Sequence, residues 1–258
     1  MIPRNSQAYL ILRSQIQESC DFAYIVSQSI PCLKLQMSLV KKGQIAKLPN
    51  PDYFNNPNPV DMISKQIVNY KLELSKYILL SSFSYFESYF ISAINELIEF
   101  HKGSENLKNY AKKKTLKRIQ KQKGIYTNDI TILSKVNSKH VDRKRKSTNN
   151  LVEKNFAFPT DLLSHYGVKA LLDKIGNIRS VDIPKSMTEI FCLELSDNEI
   201  ADFHKMRDIR NKVAHGDKVS LNVKIVFEMN TQLRNLALKF DQHLIEHFFI
   251  TEEYIYRL

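Results

Sequence analysis

The run Arg207-Asp208-Ile209-Arg210-Asn211-Lys212-Val213-Ala214-His215-Gly216 gathers residue types suited to work on a phosphodiester. Cleaving RNA without a metal needs a base for the 2′-hydroxyl proton and an acid for the 5′-oxygen. It also needs a cation for the charge that collects on phosphorus. Histidine suits the proton transfers because its unperturbed pKa lies near neutrality. Arginine suits the phosphate because its charge is permanent and its donors form a planar fork. Asparagine can hydrogen-bond either group without altering the charge. Asn211 and His215 are four apart and share a helix face. Arg210 and His215 are five apart, roughly 140° around an ideal helix. Those two converge only if the helix ends at His215 or if a second copy of the chain completes the site. Gly216 makes the first possible, since helices commonly end in a left-handed glycine, and the angle also points to a homodimer.

Each of these residues also has a plainer reading. Arg210 could be a surface cation, Asn211 a surface amide, and His215 a helix-terminal imidazole resting on free carbonyls. Arg207, one turn before Arg210, either binds phosphate or is solvated. Glu87 lies beside an aromatic stripe and either orients Arg210 or makes a structural ion pair. His204 and Asp208 read as a surface pair rather than a catalytic dyad. His243 and His247 have the spacing of a helical metal pair, but no Glu-x-x-His context surrounds them and their flanks are apolar. They read as packing residues, and neither metal nor cofactor is expected.

The elements that must hold the run in place are helical. Ser196-Asp197-Asn198-Glu199 is a capping box, with Leu195 and Ile200 at the staple positions. The helix it starts buries Ile200, Phe203, Met206, Ile209 and Val213. A last helix spans about 220–249, with Ile225, Met229, Leu233, Leu236, Phe240 and Leu244 on one stripe. Upstream, Val60, Ile63, Ile67, Tyr70, Leu74 and Tyr77 begin a stripe that resumes at Phe83, Phe86, Phe90, Ala93 and Leu97. This predicts one very long helix, or two nearly collinear ones broken near Ser81-Ser82, with Asn58 as cap and Pro59 in the first turn. The first helix covers about 5–29 with Leu12, Ile16, Phe22 and Val26 near one side, and Pro31 is expected to kink or end it before a shorter stretch at 33–40. Residues 47–59 read as a loop, 160–175 as helical, and 177–195 as mixed, with Pro184 breaking the segment. No internal repeat is visible.

With 258 residues, 43% hydrophobic and 25% charged, the chain is an ordinary globular protein. Six Gly, no Trp, and many Leu, Ile and Lys favour helices. The net charge is +11, and its location matters more than its size. Residues 102–146 hold fifteen Lys or Arg against three acids, a balance of +12, so the remainder sums to about −1. Such a local field attracts phosphates. The runs Lys112-Lys113-Lys114 and Arg143-Lys144-Arg145-Lys146 read as RNA-backbone contacts rather than a solvated loop. Only Tyr110 and Tyr126 supply rings there, which disfavours sequence-specific reading by stacking. Three widely spaced cysteines, Cys20, Cys32 and Cys192, argue against a disulfide framework and a zinc site. The chain is expected to be cytoplasmic, without a signal peptide or membrane span. The apolar stretch 77–98 is interrupted by Ser, Asn and Glu.

Arg210-Asn211, three further residues and His215 resemble the Arg-x(4–6)-His signature of HEPN domains (higher eukaryotes and prokaryotes nucleotide-binding). The small residue before the histidine, the glycine after it and the upstream run from Phe83 to Phe90 resemble the RiboL-PSP-type branch. The resemblance rests on 60–100 and 196–249. It implies an all-α, antiparallel helical bundle of HEPN type in a single domain over 1–258, with a basic insertion at about 102–158. It also implies a homodimer with a shared, metal-independent endoribonuclease site that leaves a 2′,3′-cyclic phosphate. Relatives of this kind include toxins and phage-defence effectors, so an antitoxin or defence-system partner is a further expectation. A catalytically silent module binding a protein, nucleotide or RNA is the alternative.

Overall fold

The computed structural model describes residues 5–51, 59–110, 178–191 and 193–249. Among these residues every regular element is helical. They are α1 (Gln7–Lys41), α2 (Val60–Val68), α3 (Tyr70–Phe100), α4 (Asp197–Ala214) and α5 (Val223–His247), with short helical turns at 180–190 and a helical start at 104–110. Lys112, Lys113, Lys114, the run Arg143 to Lys146 and the zone expected at 160–175 lie outside the described residues.

Four sequence expectations change. First, α1 continues through Pro31 instead of ending before it. Proline removes one backbone hydrogen bond, and because Pro31 is exposed, water can satisfy the carbonyl left over. Phe22 is 59% exposed, and Ala23 takes its place on the buried side with Leu12 and Ile16. Second, the upstream stripe breaks at Asn69, where the backbone leaves helical geometry at φ −98 and ψ 3, and not at Ser81-Ser82. Ser81 stays within the helix by turning its hydroxyl onto the carbonyls of Tyr77 and Ile78 at 2.8 and 3.1 Å. The break rephases the stripe, so Tyr77 is exposed while Ile78 and Leu79 are buried. Pro59 itself takes the N-cap position of α2. Third, Val226 rather than Ile225 faces inward on α5, whose first turn is capped by Asn222 Oδ1 accepting the Ile225 N–H at 2.9 Å. Pro184 does not break its segment either; it sits buried in the first turn of a short helix, where its missing N–H costs nothing.

The chain divides into two compact units. The first comprises Met1–Tyr9, Ser88–Lys205 and Leu236–Leu258. Its core is aromatic: Phe90 stacks on Phe240 at 5.3 Å, and Phe191 meets Phe240 and Phe248 edge-on at 5.2 and 5.4 Å. Each fully buried ring adds roughly 2–3 kcal/mol by leaving water. Polar groups inside this unit are matched. Tyr89 Oη donates to the Ala237 carbonyl at 2.9 Å. His101 Nε2 lies 2.6 Å from the Phe248 carbonyl, and His243 Nε2 lies 2.6 Å from that of Phe191, so both rings carry a proton on Nε2. The start of α1 is tied down by acids: Glu96 accepts the N–H groups of Gln7 and Ala8 at 3.0 and 2.9 Å. Buried Asp241 accepts Asn5 Nδ2 and the Ser6 N–H, both at 3.1 Å, and also the Ser6 hydroxyl. Ser6 Oγ in turn caps the Tyr9 N–H at 3.1 Å. Burial pushes the Asp241 carboxyl up, against the pull of these donors.

The second unit comprises Leu10–Glu87 and Met206–Asn235. Met37, Leu48 and Ile67 form one cluster, with Ile30, Leu33, Val60, Ile63 and Tyr70 packed on it. Phe83, Phe86, Val226, Met229 and Leu233 are buried elsewhere in the unit. No helix among the described residues is long and apolar enough to cross a membrane.

Candidate active site

The Arg207–His215 run occupies the second half of α4, and both ends of that helix are secured. At its start, Ser196 Oγ accepts the Glu199 N–H at 3.3 Å while Glu199 Oε2 accepts the Ser196 N–H at 2.8 Å. This is the reciprocal capping box expected from the sequence. Lys239 Nζ adds contacts of 2.9 and 3.0 Å to the same carboxylate. Burial alone would raise the Glu199 pKa, but these donors outweigh it and hold the carboxyl below its usual range. At the other end, Gly216 N–H bonds the Val213 carbonyl at 3.1 Å and Asp217 N–H bonds that of Lys212 at 2.9 Å, with Gly216 at φ 81. This pair of bonds closes the helix in a Schellman motif and leaves His215 as its last, half-in residue.

That ending defines His215. Its backbone N–H still bonds the Asn211 carbonyl at 2.9 Å, so the helix fixes the position from which the ring projects. The side chain is exposed and has no hydrogen-bond partner among the described residues. Because the Schellman bonds take the Lys212 and Val213 carbonyls, the imidazole is not used as a cap for them.

Arg210 is surrounded differently. Its side chain is only 20% exposed, and its Nη2 forms an ion pair with Glu87 on α3, itself 27% exposed. Nη1 donates to Asn211 Oδ1 at 3.1 Å. The guanidinium carbon lies 4.8 Å from the centre of the Phe83 ring, within cation–π range. Nε is buried and has no hydrogen-bond partner among the described residues. Arg210 is therefore a held group and not a solvated surface cation. Arg207 donates from Nε and Nη2 to Asp208 Oδ1 at 3.1 and 2.7 Å, so Asp208 pairs with its neighbour on the helix surface.

The structure thus brings together Arg210, Asn211 and Glu87 of the residues singled out from sequence. No hydrogen bond or ion pair among the described residues links Arg210 to His215. The sequence marks Phe83 as part of the apolar stripe and of the aromatic run behind the family resemblance, and not as a partner of Arg210. Its spacing of four from Glu87 puts ring and carboxylate on one face of α3, a signal visible in the sequence once Glu87 is paired with Arg210. Among the described residues no group of three or more His, Cys, Asp or Glu is placed to hold a metal ion.

No curated protein and no solved structure matches this chain. The profile of one family, RiboL-PSP-HEPN, matches residues 44–246. The match includes α2 to α4 and nearly all of α5, and it spans the interval between the two segments that carry the resemblance. α1, Gln7–Lys41, precedes it. An all-helical fold, a capped helix ending in Arg-Asn-x-x-x-His-Gly and this match over most of the chain agree: the chain belongs to the RiboL-PSP-HEPN family of HEPN domains.

Proposed function

We propose that the chain is a metal-independent endoribonuclease. The observation that carries this reading is the contrast between two side chains of one motif. Arg210 is oriented by Glu87, Phe83 and Asn211, while His215 projects into solvent from a firmly closed helix end. An oriented guanidinium suits a phosphate, and an exposed imidazole suits proton exchange. In the reaction, the ribose 2′-oxygen attacks phosphorus as a base removes its proton, and the 5′-oxygen leaves as an acid protonates it. The products are a 2′,3′-cyclic phosphate and a 5′-hydroxyl. His215 performs proton transfer, Arg210 neutralises the phosphorane oxygens and Asn211 positions the Arg210 fork. Glu87 supports Arg210, and Arg207 adds a phosphate contact.

Two copies of the chain share the site in this reading, supported by the family resemblance and by the five-residue spacing of Arg210 and His215, roughly 140° around the helix. Lys112, Lys113, Lys114, Arg143, Lys144, Arg145 and Lys146 hold the RNA backbone without reading its sequence. The biological setting is conflict, as a toxin or a phage-defence effector with an antitoxin or defence partner, in the cytoplasm. Purified protein incubated with total RNA in EDTA tests the chemistry. Cleavage should persist without divalent cations and leave cyclic-phosphate ends. Arg210→Ala and His215→Ala should each lower the rate by at least about a hundredfold, on the scale of losing a charge-stabilising or acid–base group, with the unfolding midpoint near wild type for exposed His215→Ala and lowered for Arg210→Ala, which leaves Glu87 without its partner. Equal rates for His215→Ala and wild type would sink the assignment. RNA binding without cleavage would favour the catalytically silent module.

A further inference from the structure

The Arg210 surroundings fix more than its location. A guanidinium has five N–H donors in one plane. On Arg210 the Nε donor is buried without an acceptor, one Nη2 donor goes to Glu87 and one Nη1 donor goes to Asn211. One donor on each terminal nitrogen is left, and the Phe83 ring covers a face of the plane at 4.8 Å. Phe83 is fully buried on α3, so the ring cannot swing away without disturbing the core. Glu87 lies one turn further along the same helix and fixes rotation within the plane.

We propose that Phe83 and Glu87 are positioning residues that hold the Arg210 guanidinium at one tilt and one rotation, so that only its terminal fork meets a phosphodiester. Phe83 sets the tilt and Glu87 the rotation. The side-on edge through Nε is closed to substrate. A phosphodiester that meets the fork receives two N–H donors, which suits a phosphorane whose oxygens gain charge together. Glu87 also neutralises Arg210 in the free enzyme, so the full attraction appears only as the phosphate shares the fork. This inference rests on the reading of Arg210 as the phosphate group of a ribonuclease site.

The test combines kinetics with a measurement that needs no activity. In isotope-labelled protein, the Arg210 Nη signals, assigned by their loss in Arg210→Lys, should be resolved as separate lines because rotation is hindered. They should merge in Phe83→Leu and in Glu87→Ala, and remain partly resolved in Glu87→Gln, whose amide oxygen still accepts from Nη2. With RNA, Phe83→Leu and Glu87→Ala should lose roughly ten- to hundredfold in kcat, the scale of a misplaced catalytic group. KM should stay within about twofold, since contacts elsewhere dominate binding. Glu87→Gln should recover part of the loss. Glu87 is partly exposed, so its variants keep the test valid if Phe83→Leu fails to fold. Averaged Nη signals in wild type overturn the proposal, as does wild-type kcat in a variant whose signals have merged. Wild-type protein that leaves RNA intact would defeat the ribonuclease reading, and the Nη signals alone would then decide whether the clamp exists.

Discussion

At the scale of single residues, polar groups near helix ends differ in their surroundings. Those near the helix ends of the first unit are buried and matched, whereas His215 is left open to solvent. His101 illustrates the first case and has a measurable consequence. Burial lowers its pKa from the ordinary value, with the Phe248 carbonyl pulling the other way. The folded protein therefore binds this proton less readily than the unfolded chain does. Stability is complete above the unfolded imidazole pKa of about 6.5 and falls as the pH drops below it towards the folded pKa. Urea midpoints at about pH 7.5 and about pH 5.5 should differ more for wild type than for His101→Gln, which can still donate to Phe248 but cannot titrate. Identical shifts in both proteins would assign the acid sensitivity to other groups. The site itself was partly legible at this scale. Arg210, Asn211 and His215 lie within one helix end, so a local run of the sequence is enough to single them out as candidates. The Glu87–Arg210 pair joins residues 123 positions apart, and nothing local encodes it.

At the scale of elements, local signals succeeded where a single side chain decides the backbone. The Ser196 box and Gly216 define the ends of α4 because each supplies a specific hydrogen bond or a left-handed φ. Periodicity succeeded less well where neighbouring residues were equally apolar. Phe22 against Ala23, Tyr77 against Ile78 and Ile225 against Val226 are choices one position apart, settled only by the helix across the contact. Pro31 was over-read, since one lost hydrogen bond in a helix of 35 residues need not end it. It still carries a cost. Pro31→Ala restores a donor for the Ser27 carbonyl on an exposed face, and should stabilise the protein by about 1–3 kcal/mol. Chemical denaturation measures this directly, and an unchanged or lower midpoint would mean that α1 is bent at Pro31 to fit its neighbours.

At the scale of the whole molecule, a shared site has an arithmetic signature. An Arg210→Ala chain mixed with a His215→Ala chain forms mixed dimers about half the time. If Arg210 and His215 act from different copies, each mixed dimer keeps one intact site of two, and the mixture should recover about a quarter of wild-type cleavage. If both act from the same copy, the mixture stays inactive. The anchoring of α1 carries a further consequence at this scale. The start of α1 is seated by Glu96 and Asp241, which lie 89 and 235 positions after Gln7 and Ser6. At translation speeds of roughly 5–20 residues per second, α1 waits on the order of ten to fifty seconds for its last partner to leave the ribosome. During that interval Asn5 and Ser6 lack the carboxylate that holds them in the folded protein. Synthesis interrupted before Asp241 therefore yields a chain whose segment before α1 lacks its native anchor, making prematurely terminated product a substrate for chaperones and proteases.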